Sequence, residues 1–584
     1  MSEALLADEF VYTVNNVDTE TFLILTSAGI CIRDGKGAYS YRLKYIHLSD
    51  VIGAKVHYGA KDSVYLLVHY FPLIKNRFNG KIQRCKKQVI LCANQHETAS
   101  GNVSQCMNWR RAITQQIYGC DETASGTITS KKRTFLAFVN PKGGKGIAKK
   151  MWLNTVKPML DVAGITSEVV YTEYSGHARD YVQECKELFK YSAIMTVSGD
   201  GIVFEVFNGL MKREDHAEAI KIPLAIIPGG SGNGLCAAIL HQSTVPATLM
   251  DAVYVAIRGI STPLDMVRVE QGENVMWSFL SIAWGILSAV DIESEKMRWM
   301  GEARFTVEAV KKLVSFPVKS GKVWFAPVGD EPESKSTVSS PRPVPRPKKI
   351  EKDSIMNKSS TSVISGNLDV SGDAIGEILD PNFDFTALND VDSDSDGDSQ
   401  DIDSKIPDRS RVVSESVTLQ ESSDTCQCKK CVPVPELDPV ALQQITDSIE
   451  NIGLNSDIPD SWKLLEGKFS SVNAFSRTHL TSSIQVTELD MPLDCGYLWF
   501  MWSDSNNEGY NRQDFYQLLV NNCTPECNET RTIHFEKVRA FRLEPELSES
   551  GAYVTIDGEL VPYEPLHACI FKGIARVICL PLMD

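Results

Sequence analysis

Runs of apolar residues separated by polar turns fill residues 1–120. Thr21-Phe22-Leu23-Ile24-Leu25 and Val64-Tyr65-Leu66-Leu67-Val68 stand out, and turn residues such as Asp34-Gly35-Lys36-Gly37 divide the segment. β-branched and aromatic runs bounded by Gly and Asp predict strands. Met107-Asn108-Trp109-Arg110-Arg111-Ala112-Ile113 closes the segment and suits a helix with one apolar face. A polar linker, Asp121 to Ser130, follows. Apolar strands then alternate with helical stretches: Phe135 to Val139, Glu168 to Tyr171, Ala193 to Val197 and Pro223 to Ile227. That alternation predicts a parallel sheet with crossover helices. From about residue 263 the pattern turns strand-rich. Residues 331–461 are rich in Ser, Asp and Pro, with few large apolar groups to offset the entropy of ordering, and read as a disordered insertion. Strand-forming sequence resumes near Ser482-Ser483-Ile484-Gln485-Val486. The expected divisions are 1–120, 131–262, 263–330 together with 462–584, and the insertion 331–461.

Composition narrows the function classes. A chain of 584 residues is too long for one core. Its net charge of -16 argues against nucleic-acid binding, and much of that charge sits in the insertion. No basic and apolar leader opens the sequence, and no run of 18 apolar residues occurs. The 15 cysteines, an odd number, then read as reduced thiols of a cytoplasmic protein.

Three glycine-rich loops carry the chemistry. Asn140-Pro141-Lys142-Gly143-Gly144-Lys145-Gly146 follows the first strand and precedes a helix. Such a loop brings backbone N–H groups close to an anion, and the helix adds its positive dipole end. No Ser or Thr follows the lysine, so this is not a Walker A loop. Ser198-Gly199-Asp200-Gly201 places a sterically open carboxylate at a strand end, suited to a general base or to a metal-linked role near a phosphoryl group. Glu205, one turn on, could support the same site. Pro228-Gly229-Gly230-Ser231-Gly232-Asn233-Gly234 offers a nest of N–H groups. Each loop alone equally suits an ordinary turn. Three at successive strand ends are far more specific, because ligands of open α/β sheets lie at those ends.

Together the loops resemble the diacylglycerol kinase catalytic domain superfamily, from about Thr134 to Leu240. Ala283-Trp284-Gly285 through Asp291-Ile292-Glu293 to Arg298, then Gly301-Glu302-Ala303-Arg304-Phe305 and the late Ile556-Asp557-Gly558-Glu559, resemble the sphingosine kinases. The resemblance implies an α/β nucleotide-binding lobe and a β-rich, sandwich-like lipid-binding lobe. The N-terminal strands with their Trp-bearing helix look like a pleckstrin-homology-like module.

The implied activity is transfer of the γ-phosphate of ATP, with Mg2+, to the primary hydroxyl of a sphingoid base. The resemblance assigns the phosphates to Asn140, Pro141, Lys142, Gly143 and Gly144, and to Gly229, Gly230, Ser231, Gly232 and Asn233. Thr172 lies near the nucleotide. Ser198, Gly199 and Gly201 add contacts around Asp200, the catalytic acid–base group. Arg298 and Arg304 reach the phosphates, and Asp557, Gly558 and Glu559 fold back toward the nucleotide. No metal ligand is assigned. Asp291 is implied as partner of the substrate amine, although Asp also favours a helix N-cap and the sequence leaves both readings open. Expected partners are the sphingoid base, a peripheral membrane surface, regulatory proteins docking on the insertion and a second copy in a homodimer, with no nucleic acid. Ceramide or diacylglycerol kinase activity, or a non-catalytic lipid-binding scaffold, are the rival readings. Asp392-Ser393-Asp394-Ser395-Asp396-Gly397 opens like a calcium loop but has Asp403 where Glu is needed. Cys426, Cys428 and Cys431 lack a fourth zinc ligand nearby.

Overall fold

A computed structural model describes residues 4–34, 42–119, 133–328, 452–504, 533–547 and 552–581, with short gaps at 15–16, 60–62, 77–79, 97, 144–145, 231, 301–302, 316–317 and 483. The expected insertion lies outside the described residues up to 451, as do the calcium-like loop and the Cys426 cluster.

Seven antiparallel strands form the N-terminal sheet. The helix Ala99–Tyr118 packs across it and buries Cys106, Trp109 and Ile113. Thr98 caps that helix by accepting from the Gly101 N–H, and Gly119, at φ +64, ends it. The Trp109 indole N–H donates to Asp8 at 2.7 Å while its ring meets Phe10 edge-on, so the aromatic is satisfied at both its polar and apolar parts.

Four parallel strands follow in the order Thr166–Tyr171, Thr134–Val139, Ala193–Ser198, Leu224–Pro228. Ala193–Ser198 and Leu224–Pro228 are buried along their whole length, as strands covered on both faces must be. The last strand of the protein, Leu566–Cys579, pairs with Leu224 through Val577 and runs antiparallel to Ile260–Gln271. It carries the sheet into an antiparallel region built from Lys319–Pro327, Lys463–Phe475, Leu498–Asp504, Ile533–Pro545 and Ser281–Gly285. A separate core of Val267, Ile282, Trp284, Phe325, Phe500 and Phe541 fills that region.

Two expectations shift. Residues 452–461, assigned by composition to the insertion, are described and tied down. The Arg542 guanidinium donates to the carbonyls of Gly453 (2.7 Å) and Ser456 (2.9 Å), Glu270 accepts from the Leu454 N–H, and Ile452 and Ile458 pack beside Trp462. Polar composition hid this because backbone groups, which carry no sequence signal, make the contacts. The stretch Ser482–Val486 is not a strand. One bridge, His479 to Gln485, is its only described ladder contact. Its apolar residues Ile484 and Val486 instead line a cleft.

Phe325, two residues before the end of its strand, is paired in register with Lys463. The chain therefore leaves and re-enters at neighbouring positions. Replacing residues 330–450 by a short Gly/Ser linker is expected to leave the melting temperature unchanged or slightly raised, since a shorter loop costs less closure entropy. Calorimetry checks this, and a large fall in melting temperature would show the segment to be structural.

Candidate functional site

The carboxyl ends of the parallel strands open onto a cleft of roughly 470 Å³. Two of the glycine loops there meet backbone to backbone. A Cβ on Gly230 would lie 2.3 Å from the Gly199 Cα, so no side chain fits at that point. Asn233 ties off its own loop, accepting from the Gly230 N–H (3.3 Å) and donating to the Gly230 carbonyl (3.0 Å). In the first loop the Asn140 side chain accepts from the Lys142 N–H at 3.0 Å, folding the loop over itself.

Asp200 begins the helix Asp200–Met211. Its carboxylate accepts from the Gly234 N–H (2.8 Å) and the Leu235 N–H (3.4 Å), the first turn of the helix Gly234–Gln242. The group therefore caps one helix while opening another, which fixes its orientation. Glu205 lines the same cleft, with its carboxylate already engaged. It accepts from the N–H groups of Gly176 (2.8 Å) and Ala178 (3.0 Å) and so holds the helix His177–Glu184.

Asn140, Lys142, Gly143, Thr172, Gly199, Asp200, Gly201, Gly230, Gly232, Asp291, Arg304, Asp557, Gly558 and Glu559 all line the one cleft. Pro141, Ser198, Gly229 and Asn233 do not line it. Ser198 is buried, with its hydroxyl donating to the Gly199 carbonyl, and the Gly229 N–H donates to Ser198, so these two support the loops from behind. Gly144, Ser231 and the side chain of Arg298 lie outside the described residues.

Asp557 lines the cleft with its carboxylate engaged by the protein. Its carboxylate accepts from the Ser278 hydroxyl (2.7 Å) and from the N–H groups of Phe279 (3.0 Å), Leu280 (2.9 Å) and Ser281 (2.9 Å). It is a positioning residue that pins the Asp557-Gly558 turn, where both residues have positive φ, onto the strand Ser281–Gly285. Burial still pushes its carboxyl up to about 6, against the pull of those four bonds. Glu559 remains at the site, its Oε1 2.9 Å from where a Gly201 Cβ would stand.

Asp291 is the sixth residue of the helix Ile286–Ser294, whose N-cap is Gly285. The N-cap reading of Asp291 is thereby excluded. Leu287 and Val290, four and one residues before it, share the cleft wall, followed by Phe305, Ala309, Phe475, Ile484 and Val486. The cleft is polar at the glycine loops and apolar at this end, with Asp291 between. Burial pushes the Asp291 carboxyl up to about 7, partly opposed by the Arg304 guanidinium and reinforced by Glu295. Phe475, Ile484 and Val486 were not legible as site residues. Their only signal is apolar character inside polar sequence. Among the described residues no group of three His, Cys, Asp or Glu is arranged to hold a metal ion, and no helix is long and apolar enough to cross a membrane.

Residues 134–269 match the family model described as diacylglycerol kinase catalytic domain. The chain is also similar to several sphingosine kinases, and spans about two fifths of the length of the Arabidopsis ones it matches. Sphingosine kinase 1 of Arabidopsis thaliana is 40% identical over 197 residues, 34% of this chain and 40% of that one. Sphingosine kinase 2 of Homo sapiens is 29% identical over 531 residues, 83% of this chain and 77% of that one. The match to sphingosine kinase 2 of Arabidopsis thaliana likewise spans only 41% of that protein. A solved diacylglycerol kinase from Bacillus anthracis str. Sterne is a looser likeness, 15% identical with a TM-score of 0.41 over 78% of this chain and 100% of its own.

The two acids predict opposite thermal behaviour. Asp557→Ala strands four buried donors and is expected to cost on the order of 3 kcal/mol or more. For Asp291, the folded state retains its proton up to about pH 7, whereas the unfolded carboxyl loses it near 3.8. Between those values the native state binds more protons, so this group's contribution to stability falls as pH rises. Asp291→Asn removes that term and is expected to gain stability relative to the unaltered protein as pH rises from 4 to 7. Melting curves across that range check both.

Proposed function

We propose that this chain is an ATP-dependent kinase of long-chain sphingoid bases, giving sphingosine 1-phosphate or a close analogue. The observation that carries the reading is one cleft lined by the glycine loops, by an apolar wall and by a half-buried carboxylate, Asp291. Phosphates suit the loops, an alkyl chain suits the wall, and a protonated amine suits Asp291. The substrate's primary hydroxyl attacks the γ-phosphorus of ATP. Its O–H bond breaks toward Asp200, and the bond to the β,γ-bridging oxygen breaks to release ADP. Lys142 and Arg304 offset the charge that develops on the phosphoryl oxygens.

The residues present fit Mg2+ without a dedicated cage. This ion is usually held by one or two carboxylates together with substrate phosphates, and Asp200 and Glu559 are the carboxylates beside the phosphate loops. When bound it neutralises phosphate charge. The N-terminal sheet with its Trp109-bearing helix we read as a pleckstrin-homology-like module.

Purified protein assayed with labelled ATP against sphingosine, ceramide and diacylglycerol tests the reading. Sphingosine is expected to be preferred. Preference for either of the others would transfer the activity to the ceramide or diacylglycerol class, and no turnover of any lipid would leave a binding scaffold. Asp200→Asn is expected to lower kcat by about 100-fold or more, with ATP binding retained. Because the new amide also faces the Gly234 and Leu235 N–H groups, calorimetric ATP titration is needed to separate lost chemistry from lost loop geometry. Asp291→Asn is expected to raise the KM for sphingosine far more than that for ATP, the loss of a paired charge costing about 2–5 kcal/mol. An unchanged sphingosine KM would remove Asp291 from the substrate site.

A further inference from the structure

Between Asp62 and Glu97 this acidic chain contains no Asp or Glu, yet it carries Lys75, Arg77, Lys81, Arg84, Lys86 and Lys87. At the centre of that stretch a two-stranded ribbon, Leu73–Lys75 with Ile82–Arg84, stands apart from the seven-stranded sheet. Register pairs Lys75 with Ile82 and Leu73 with Arg84, so these four side chains share one face. Three of them are exposed. Leu73 is 43% and Ile82 54% exposed, Lys75 stands open beside them, and Lys81, Lys86 and Lys87 are exposed close by.

The fourth side chain is not exposed. Arg84 is buried against the catalytic domain, its Nε 3.0 Å from the Asp251 carboxylate and its guanidinium 3.5 Å from the centre of the Tyr254 ring. It also donates to the Phe71 carbonyl at 2.6 Å, and the Tyr254 hydroxyl donates to the Ser49 carbonyl. Asp251 is fully buried in the helix Leu249–Arg258, which packs on the parallel sheet. A buried pair of this kind loses several kcal/mol if one partner is removed, so the ribbon's root is rigidly joined to the kinase core.

We propose that this ribbon is a seat for an anionic bilayer surface, holding the kinase core against the membrane from which it draws its lipid. Asp251 and Asp50 face the buried Arg84 at the ribbon's root, and the exposed Leu and Ile lie among lysines in a stretch of sequence without acids, the composition of an interfacial element. Apolar side chains enter the headgroup boundary while lysine stems lie along it and place their charges among the lipid phosphates. A protein partner of ordinary composition would meet the ribbon with both signs of charge, and the long acid-free stretch favours a surface of one sign. The surface is independent of which lipid the cleft phosphorylates, and its deciding readout, binding to vesicles, needs no turnover.

The test is sedimentation of the full chain with vesicles of phosphatidylcholine, with and without phosphatidylserine. Binding is expected only with phosphatidylserine. Lys75→Glu with Lys81→Glu, and separately Leu73→Ser with Ile82→Ser, are expected to lower partition at least about tenfold. Both pairs are expected to leave kcat unchanged when the lipid is delivered on albumin, which shows the variants to be folded. Equal binding to neutral vesicles, or ribbon variants that sediment like the unaltered protein, would overturn the proposal. So would a third result in hydrogen exchange. Protection of residues 73–87 lost on deleting the acidic stretch 390–403, with no protection gained from vesicles, would assign the ribbon to the chain's own acidic segment.

Discussion

One buried carboxylate, that of Asp265, holds the two halves of the sheet in register. It sits where Ile260–Gln271 slips by two residues against Leu566–Cys579, between Leu264 and Met266. One oxygen accepts from the Gly573 N–H at 2.7 Å, satisfying the donor that the irregularity displaces, and the other accepts from Gly496 at 2.6 Å. Arg477, also buried, donates to the Asp265 carbonyl and to that of Ser476. Full burial pushes the Asp265 carboxyl up, while Arg477 and the two backbone donors pull it back. A buried charge of this kind is tolerated because two backbone N–H groups donate to it and the Arg477 cation lies beside it. Since Leu566–Cys579 is the strand that joins the parallel and antiparallel regions, this knot sets the spacing of the two cleft walls. It also places the chain from Arg477 to Val486, which supplies part of the apolar wall.

The polar end obeys the same economy of donors. Asp200, Asn233 and Asn140 are each spent partly on backbone groups, and that expenditure is what makes the loops hold one shape. A loop of free glycines would lose much of its anion affinity to ordering entropy. Here the side chains have already ordered it. Asp200 is a helix cap as well as the proposed reacting group, so its removal is expected to disturb the scaffold along with any chemistry.

Much of this was legible in the sequence, for reasons that can be traced. The four parallel strands are short apolar runs ending in glycine, and period and punctuation alone locate them. Thr134–Val139 and Ala193–Ser198 fall within one residue of the expected stretches. The strand Lys463–Phe475 was hidden behind low-complexity sequence, and the apolar residues after it were assigned to a strand although they belong to a cleft wall. Local pattern records that a residue is buried, not what buries it. The same limit explains Asp557. An Asp-Gly pair in a late motif signals a turn at a functional site, but whether its carboxylate faces ligand or protein depends on Ser278 to Ser281, almost 280 positions earlier. Contacts across such separations leave no trace in periodicity. Asp291 was ambiguous between cap and ligand for a different reason. Both roles use the same residue type, and only its position within the helix distinguishes them.

On the proposed reading, that position also bears on how the cleft would distinguish its lipid. Burial, outweighing the attraction of Arg304, pushes the Asp291 carboxyl up to about 7. A cationic amine placed beside it would favour the ionised form, so binding would release a proton in exchange. A neutral amide or ester at that point offers no such exchange. It would face either a protonated acid, able to donate one hydrogen bond, or an ionised one left without a cation. On the proposed reading, the pocket would penalise the wrong headgroup through an unpaired charge rather than through shape, the more effective form of discrimination for ligands whose alkyl chains are alike.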